Sequence, residues 1–269
     1  MLLEASVSGA LPRVTCLMAT QPTAARLAFF RNSLEAYVAQ TYANRELLVL
    51  VDEAEEEQVA PFRNCVAETG AQNVRLELTG SVVLGKKRNE LITRATGDLL
   101  AQWDDDDFYH PRRLEEQVEY LLAHEADAAY LVDVFQFFGS RRELYWTNFR
   151  NTPEGCHAAT GVFRRGLEAR YPESGETAVR GEDSAFLQQL RSRCRVALQA
   201  GAPHLYVYNS HGANTWSDAH HMLLVEKLGI SKALLGRREA DIRAGLARVD
   251  LGPGPVTVMG SNGAAFVIG

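Results

Sequence analysis

Leu99-Leu100-Ala101-Gln102-Trp103 runs directly into Asp104-Asp105-Asp106-Asp107. The apolar half suits a strand buried on both faces. Four consecutive carboxylates repel one another, and holding them at a sheet edge is costly unless a cation offsets the charge. Hard divalent ions such as Mg2+ and Mn2+ prefer oxygen ligands of this kind. The run is not an EF-hand, which needs spaced ligands, a central glycine and a distal glutamate. In isolation it also reads as a solvated loop whose charge is partly offset by Arg112 and Arg113. Its position after a buried strand favours a ligand site, because parallel α/β sheets bind ligands outside the carboxyl ends of their strands.

Working outward, the pattern on both sides alternates strands and helices. Val14-Thr15-Cys16-Leu17-Met18 and Leu47-Leu48-Val49-Leu50-Val51 read as buried strands, the second closing at Asp52. Between them Leu27, Phe30, Leu34, Tyr37 and Val38 recur at helical spacing. Glu53 to Glu57 opens a helix through Ala67, where acidic residues complement the dipole. Val74 to Leu78 alternates apolar and charged residues, as a more exposed strand does. A helix over Gly85 to Ala95 is expected to end at a left-handed Gly97, and Pro111 to start another. This order implies βαβ units and a mostly parallel sheet with flanking helices. Apolar runs at 128–138 and 205–208 follow, with a helix from about Asp183 to Leu190. The tail reads as helical from about Ser217 to Val249, then as a short hairpin turning at Asn262-Gly263. The expected organisation is one α/β domain over 1–216 and a C-terminal helical extension over 217–269, packed on that domain.

Composition narrows the function. The chain has 269 residues, enough for a substantial core, and a net charge of −6. That balance argues against a nucleic-acid partner. Cys16, Cys65, Cys156 and Cys194 are widely spaced and form no CxxC pair, which speaks against a disulfide framework or structural zinc. No stretch approaches the ~20 apolar residues that span a bilayer. Met1 to Leu11 lacks the basic start of a signal peptide. A cytoplasmic protein is expected, with no transmembrane segment and with peripheral membrane contact left open.

The stretches Gly85-Lys86-Lys87-Arg88-Asn89, Ala95-Thr96-Gly97-Asp98-Leu99-Leu100 and Asp104-Asp105-Asp106-Asp107-Phe108-Tyr109-His110-Pro111-Arg112-Arg113-Leu114 occur in that order. Together they resemble the heart of the family-2 glycosyltransferases of the GT-A fold. Gln40-Thr41-Tyr42 with Leu48-Val49-Leu50-Val51-Asp52 resembles that family's second strand, and Gly181-Glu182-Asp183 its later E-D motif. The resemblance spans roughly Pro12 to Trp216. After Asp52 many members carry a second Asp and Gly-Ser, whereas Glu53-Ala54-Glu55 stands here, a departure that points to an unusual donor.

The resemblance implies an inverting transfer of sugar from a nucleotide-diphosphate sugar, with a UDP-sugar favoured, to a hydroxyl acceptor. That acceptor would be a glycan, a lipid-linked group or a protein. Asp52 would hold the base, Thr20 would lie at the donor, and Arg88 would sit near the diphosphate. Asp104 and Asp105 would lie near ribose and metal, and Asp106 would bind Mn2+ or Mg2+, with the register open by one residue. His211 would reach the metal or the diphosphate. Asp183 would be the catalytic base, because inversion needs a carboxylate opposite the leaving group. Glu182 would contact the acceptor. Trp146, with Tyr145 and Phe149, has the shape to stack on an acceptor sugar or to fill a core. His220 and His221 read as surface residues.

Three other readings compete. A catalytically inactive sugar-nucleotide binder would not need both the Asp run and Asp183. A sugar nucleotidyltransferase would carry a glycine-rich loop, and residues 14–24 contain no glycine. A thiol enzyme built on Cys156-His157 lacks an evident third partner.

Overall fold

The computed structural model describes residues 11–269. The N-terminal stretch considered above for a targeting signal lies outside them up to residue 10. The chain begins β1 (Val14–Thr20), α1 (Ala24–Val38), β2 (Arg45–Asp52), α2 (Glu56–Glu68), β3 (Val74–Thr79), α3 (Leu84–Arg94) and β4 (Leu99–Gln102). It continues β5 (Phe108–Tyr109), α4 (Arg113–Ala123), β6 (Ala128–Leu131), β7 (Asp133–Phe138), β8 (Glu143–Asn148) and β9 (Val162–Arg164). Then come α5 (Glu182–Arg193), β10 (Val196–Gln199), β11 (Tyr206–Ser210), α6 (Asp218–Leu228), α7 (Lys232–Arg237) and α8 (Glu239–Leu246). The hairpin β12 (Val256–Gly260) and β13 (Gly263–Ile268) closes the chain.

The first sheet has the order β10-β6-β9-β4-β1-β2-β3. It is parallel apart from β9, which runs antiparallel to β4 and β6. Alternate side chains of its strands feed two cores, as the period of two requires. Cys16, Met18, Leu47, Val49 and Val51 pack with Phe30 and Leu34 of α1, Phe62 of α2 and Leu114 and Val118 of α4. Leu17, Leu48, Leu50 and Leu100 pack on the other side with Leu91 and Ile92 of α3 and Phe186 and Leu187 of α5. Burial on both faces is what the near-continuous apolar strands required. β3 closes one edge and is correspondingly only half-buried.

A second, mixed sheet of order β13-β12-β8-β7-β11-β5 stands beside the first. The apolar run at 128–138, read from sequence as one segment, breaks at Val132 into β6 of the first sheet and β7 of the second. The aspartate run crosses between sheets in the same way, leaving β4 and entering β5. The tail is three short helices rather than one long one: Gly229 and the capping Ser231 separate α6 from α7, and α7 gives way to α8 at Arg238. Leu235 of α7 and Ile242 and Leu246 of α8 pack onto Phe135, Phe137 and Val207 of the second sheet. β12 extends that sheet by pairing in parallel with β8. The hairpin turns at Ser261-Asn262, followed by Gly263 at φ 121°.

Two helix boundaries differ from expectation. α4 begins at Arg113, with Pro111 and Arg112 in the preceding turn. Gly97 is not left-handed; a Cβ there would sit 2.7 Å from the Arg13 carbonyl oxygen and from the Thr15 nitrogen. Its missing side chain permits close strand approach instead of a helix cap.

Gly85 in the first turn of α3 has the same use. A Cβ would lie 1.9 Å from the Pro172 carbonyl oxygen, so α3 can seat against the 172–178 segment only without a side chain here. Seating α3 is what aims Lys87 and Arg88 inward. Gly85→Ala is expected to cost about 2 kcal/mol or more, since backbone must move. Gly80→Ala, with nothing within 4 Å of its added Cβ, is the control and should change stability by less than about 0.5 kcal/mol. Thermal melts of both variants decide it; indistinguishable midpoints would show that α3 is not seated as described.

Candidate active site

A cleft of about 760 Å³ opens where the carboxyl ends of β1 and β4 face β11, α5 and α6. Thr20, Asp104 to Asp107, Arg88, Glu182 and Asp183 line it. Asp52 ends β2 beside it, 9% exposed, with its carboxylate 2.5 Å from Lys87 Nζ. Lys87 Nζ also donates to the Thr20 carbonyl at 3.2 Å, which ties α3 to two strand ends at once.

The four aspartates point in different directions because each belongs to a different step of the crossover. Asp104 is fixed through its backbone: its N–H donates to Tyr109 Oη at 2.7 Å and its carbonyl accepts from Ser33 Oγ at 2.9 Å. Its carboxylate meets Arg88 Nη2 at 3.0 Å. Asp105 accepts from the Thr20 hydroxyl and from Arg26 Nη1 at 2.8 Å. Asp106 meets Arg26 Nη1 at 2.6 Å and His211 Nε2 at 3.0 Å. Asp107 turns inward, accepting from the Tyr206 hydroxyl and from the Asn209 backbone N–H at 2.9 Å. Asp107 therefore anchors β11 from the cleft's floor, while Asp104, Asp105 and Asp106 pair with Arg88, Arg26 and His211.

The electrostatics follow from this confinement. Burial, then the neighbouring Asp106, raises the Asp105 carboxyl above the usual range, with Arg26 opposing. Burial also works to raise Asp106, but the His211 hydrogen bond and Arg26 hold it below the usual range. Among the described residues no group of three His, Cys, Asp or Glu side chains is gathered tightly enough to enclose a metal. Arg26 lies between Asp105 and Asp106, supplying the positive charge there.

Arg88 organises the other half. Its guanidinium lies 3.0 Å from Asp104, 3.3 Å from Glu182 and 3.5 Å from Asp183, and its side chain is 7% exposed. Burial disfavours its charge, yet these three carboxylates keep it firmly protonated. Glu182 and Asp183 open α5 just after Gly181, which takes a left-handed φ of 79°. Asp183 Oδ1 accepts from Gln102 Nε2 at 2.7 Å, and Gln102 Oε1 in turn accepts from the Gly161 N–H at 3.0 Å. Burial raises the Asp183 carboxyl well above its usual range; Arg88 opposes this and Glu182 adds to it. A carboxyl with elevated proton affinity, facing a cleft, is suited to accepting a proton.

Residues 22–179 match the family described as "Glycosyl transferase family 2". This chain belongs to that family. It is 29% identical over 113 residues to the Bacillus subtilis (strain 168) protein named "Putative glycosyltransferase EpsE". That match spans 42% of this chain and 40% of the relative's length. Among solved structures, the chain is similar to S. aureus TarS 1–349 in complex with UDP-GlcNAc, with a TM-score of 0.58 and 15% identity over 89% of this chain and 68% of that one. The Pyrobaculum calidifontis mannosyltransferase PcManGT, solved with GDP-Man and Mn2+, gives 0.57 and 14% over 81% and 62%. At these identities the likeness is one of fold, the GT-A fold.

The family-2 match stops at residue 179, short of Glu182 and Asp183, yet the fold brings both to the matched aspartates through Arg88. Two expectations are corrected. Trp146 is not among the residues lining the cleft; it lies on β8, edge-on to Phe135 at 6.0 Å, partly buried against the cluster that the C-terminal helices share with the second sheet. His221 is not a surface residue: it is 5% exposed, and it lines the cleft together with His220. Sequence reading also missed Arg26, Lys87 and Gln102. Lys87 stood in the quoted Gly85–Asn89 motif, whereas Arg26 and Gln102 carried no local signal. The thiol reading of Cys156 fails, because burial pushes that thiol up to about 12.

Arg88→Met should leave three carboxylates confined without their cation. Breaking a buried pair in this way is expected to cost about 3–5 kcal/mol. A carboxyl whose folded pKa is raised gives stability that is present at low pH and lost as pH rises through that pKa. The gap between Arg88→Met and wild type in urea unfolding should therefore widen from pH 5 to pH 8. A gap independent of pH would contradict the network.

Proposed function

We propose that this family-2 glycosyltransferase transfers a sugar with inversion from a UDP-sugar to an acceptor hydroxyl, using Asp183 as general base and a divalent ion. The single observation that carries the reading is Asp183 itself: a carboxyl of raised proton affinity, held by Gln102 and Arg88, in the cleft that also holds Asp104 to Asp106. Inversion calls for a base on the side of the sugar away from the leaving group. Asp183 would take the acceptor's proton as its oxygen attacks the anomeric carbon, and Glu182 beside it would help orient the acceptor. Gln102 donates to Asp183 Oδ1, which would leave Oδ2 to face the acceptor.

The donor side rests on Asp52, Thr20, Lys87 and Arg88. Asp52 would accept from the base, while Arg88 and Lys87 supply positive charge for the diphosphate. A UDP-sugar is favoured, as the TarS complex holds UDP-GlcNAc, although the mannosyltransferase complex holds GDP-Man. The donor set fits a divalent ion: Asp106 offers oxygen and His211 nitrogen, 3.0 Å apart, and Mn2+ accepts that mixture more readily than Mg2+. When bound, the ion would neutralise the leaving diphosphate. Arg26, which now pairs with Asp105 and Asp106, would have to give way to it.

Asp183→Asn should bind donor nearly as wild type and lose transfer by about 10²–10⁴-fold. In wild type, transfer should rise with pH as Asp183 loses its proton, and the residual activity of Asp183→Asn should be flat over that range. NMR of the product anomer with a transferable acceptor checks inversion; retained configuration would remove Asp183 from this role.

Chelator-treated protein should lose UDP-dependent thermal stabilisation and regain it with Mn2+. Asp106→Ala and His211→Ala should each weaken Mn2+-linked UDP binding while melting near wild type without ligand. Tighter binding of GDP than UDP in calorimetry would overturn the donor assignment, and full transfer in excess chelator would overturn the metal.

A further inference from the structure

One part of the cleft takes no share in the chemistry above. It is built from Phe149, His157, Tyr208 and His221. The rings form a continuous chain: Phe149 to His157 at 5.1 Å, His157 to Tyr208 at 6.0 Å, and Tyr208 to His221 at 4.4 Å. His221 is 5% exposed, and neither of its ring nitrogens has a hydrogen-bond partner among the described residues. His157 Nδ1 is likewise without one. Buried polar nitrogens are costly to leave unpaired, and these three, themselves out of solvent contact, belong to two rings that line one wall of the cleft, where they would pair with a group that enters once the rings turn toward it.

We propose that this wall is the acceptor subsite and that it takes a neutral saccharide or polyol. The proposal rests on the transfer reading above and names its second substrate. A neutral imidazole offers one donor and one acceptor, which matches a hydroxyl in both directions. Burial, then His221, pushes His157 down to about 3, and burial, then His220, pushes His221 down to about 4, so both rings stay uncharged at neutral pH. The faces of Phe149 and Tyr208 suit the C–H face of a sugar ring. Among the described residues no Lys or Arg side chain belongs to this wall to counter an anionic acceptor. The Lys and Arg side chains that line the cleft among the described residues are Arg26, Lys87 and Arg88, each already paired with carboxylates: Arg26 with Asp105 and Asp106, Lys87 with Asp52, and Arg88 with Asp104, Glu182 and Asp183.

Position supports the same assignment. The His157 backbone N–H donates to the Leu131 carbonyl at 2.9 Å, which holds the loop at the point where the chain passes between sheets. The turn that follows, Ala158–Thr160, packs against α5, the helix that begins with Glu182 and Asp183.

The test records the imidazole NMR signals of His157 and His221 in the full chain, assigned through His157→Gln and His221→Gln. The probes are neutral disaccharides, the corresponding uronic acids and sugar phosphates, and UDP with Mg2+. Neutral disaccharides should move both signals. His221→Leu should weaken their binding about tenfold, as loss of a directed hydrogen bond predicts, while His221→Gln should stay within about threefold of wild type. Phe149→Leu gives an independent reading of the stacking face, with a similar loss, should His221→Leu fold poorly. Shifts with UDP alone would make the wall part of the donor site and overturn the proposal. Shifts only with the acidic sugars would overturn its chemical class, and no shift with any neutral probe would overturn it outright. Saccharide binding without any UDP or GDP binding would support the wall and sink the transfer reading instead.

Discussion

Everything in the cleft depends on confining carboxylates at the point where the chain leaves one sheet for another. β4 ends and Asp104 to Asp107 carry the chain across to β5. With Asp52, Glu182 and Asp183 nearby, such a concentration of negative charge is tolerable only with cations between. Arg26, Lys87 and Arg88 provide them, each bonded to a different part of the cluster. Behind the crossover the fully buried Arg113 lies over the rings of Trp103, Tyr109 and Tyr206, 4.8–5.5 Å from their centroids. A charge desolvated against three aromatic faces stiffens the strand ends on which the aspartates stand.

The same arrangement explains a division of labour within the Asp run. A loop of four identical residues could present any of them, and the register is set by what the sheets require. Tyr206 and the Asn209 N–H claim Asp107, which fastens the second sheet to the first. Ser33 and Tyr109 fix the Asp104 backbone, and the Trp103 indole N–H donates to the same Ser33 hydroxyl at 2.9 Å. The carboxylates left over are the ones available for ligands. Charged and uncharged walls of one cleft then follow from topology: strand ends and α3 bring charge, while β11, α6 and the 149–159 segment bring rings.

Much of the first sheet was legible. Strands buried on both faces leave continuous apolar runs, and the helices between them leave a 3.6-residue period, so β1 to β4 and α1 to α4 could be found within a few residues. Asp52, Arg88, Asp106 and Asp183 stood out because motif spacing ties them to local elements. Of the second sheet, the closing hairpin and two apolar runs were legible, but the way its strands pair was not. Its strands β7 and β8 pair antiparallel, β11 inserts from far along the chain, and β12 joins from the tail. None of those pairings leaves a periodic trace in a single sequence. Trp146 shows the consequence: an aromatic in a loop-like stretch resembles a sugar platform until the C-terminal helices are seen to cover it.

The sequence by itself determined the parallel α/β frame, the strand-end placement of the carboxylates and their membership in a glycosyltransferase pattern. These are local properties, set by hydrophobic period and by residues within one turn or strand of each other. Only the tertiary structure decided which aspartate turns inward, that Arg26 counters Asp105 and Asp106, that Gln102 holds Asp183, and that His157 and His221 share a wall. Those relations join residues between 64 (221 − 157) and 102 positions apart. They are fixed by which buried charges and polar groups can satisfy one another once the two sheets have met, and no local pattern encodes that outcome.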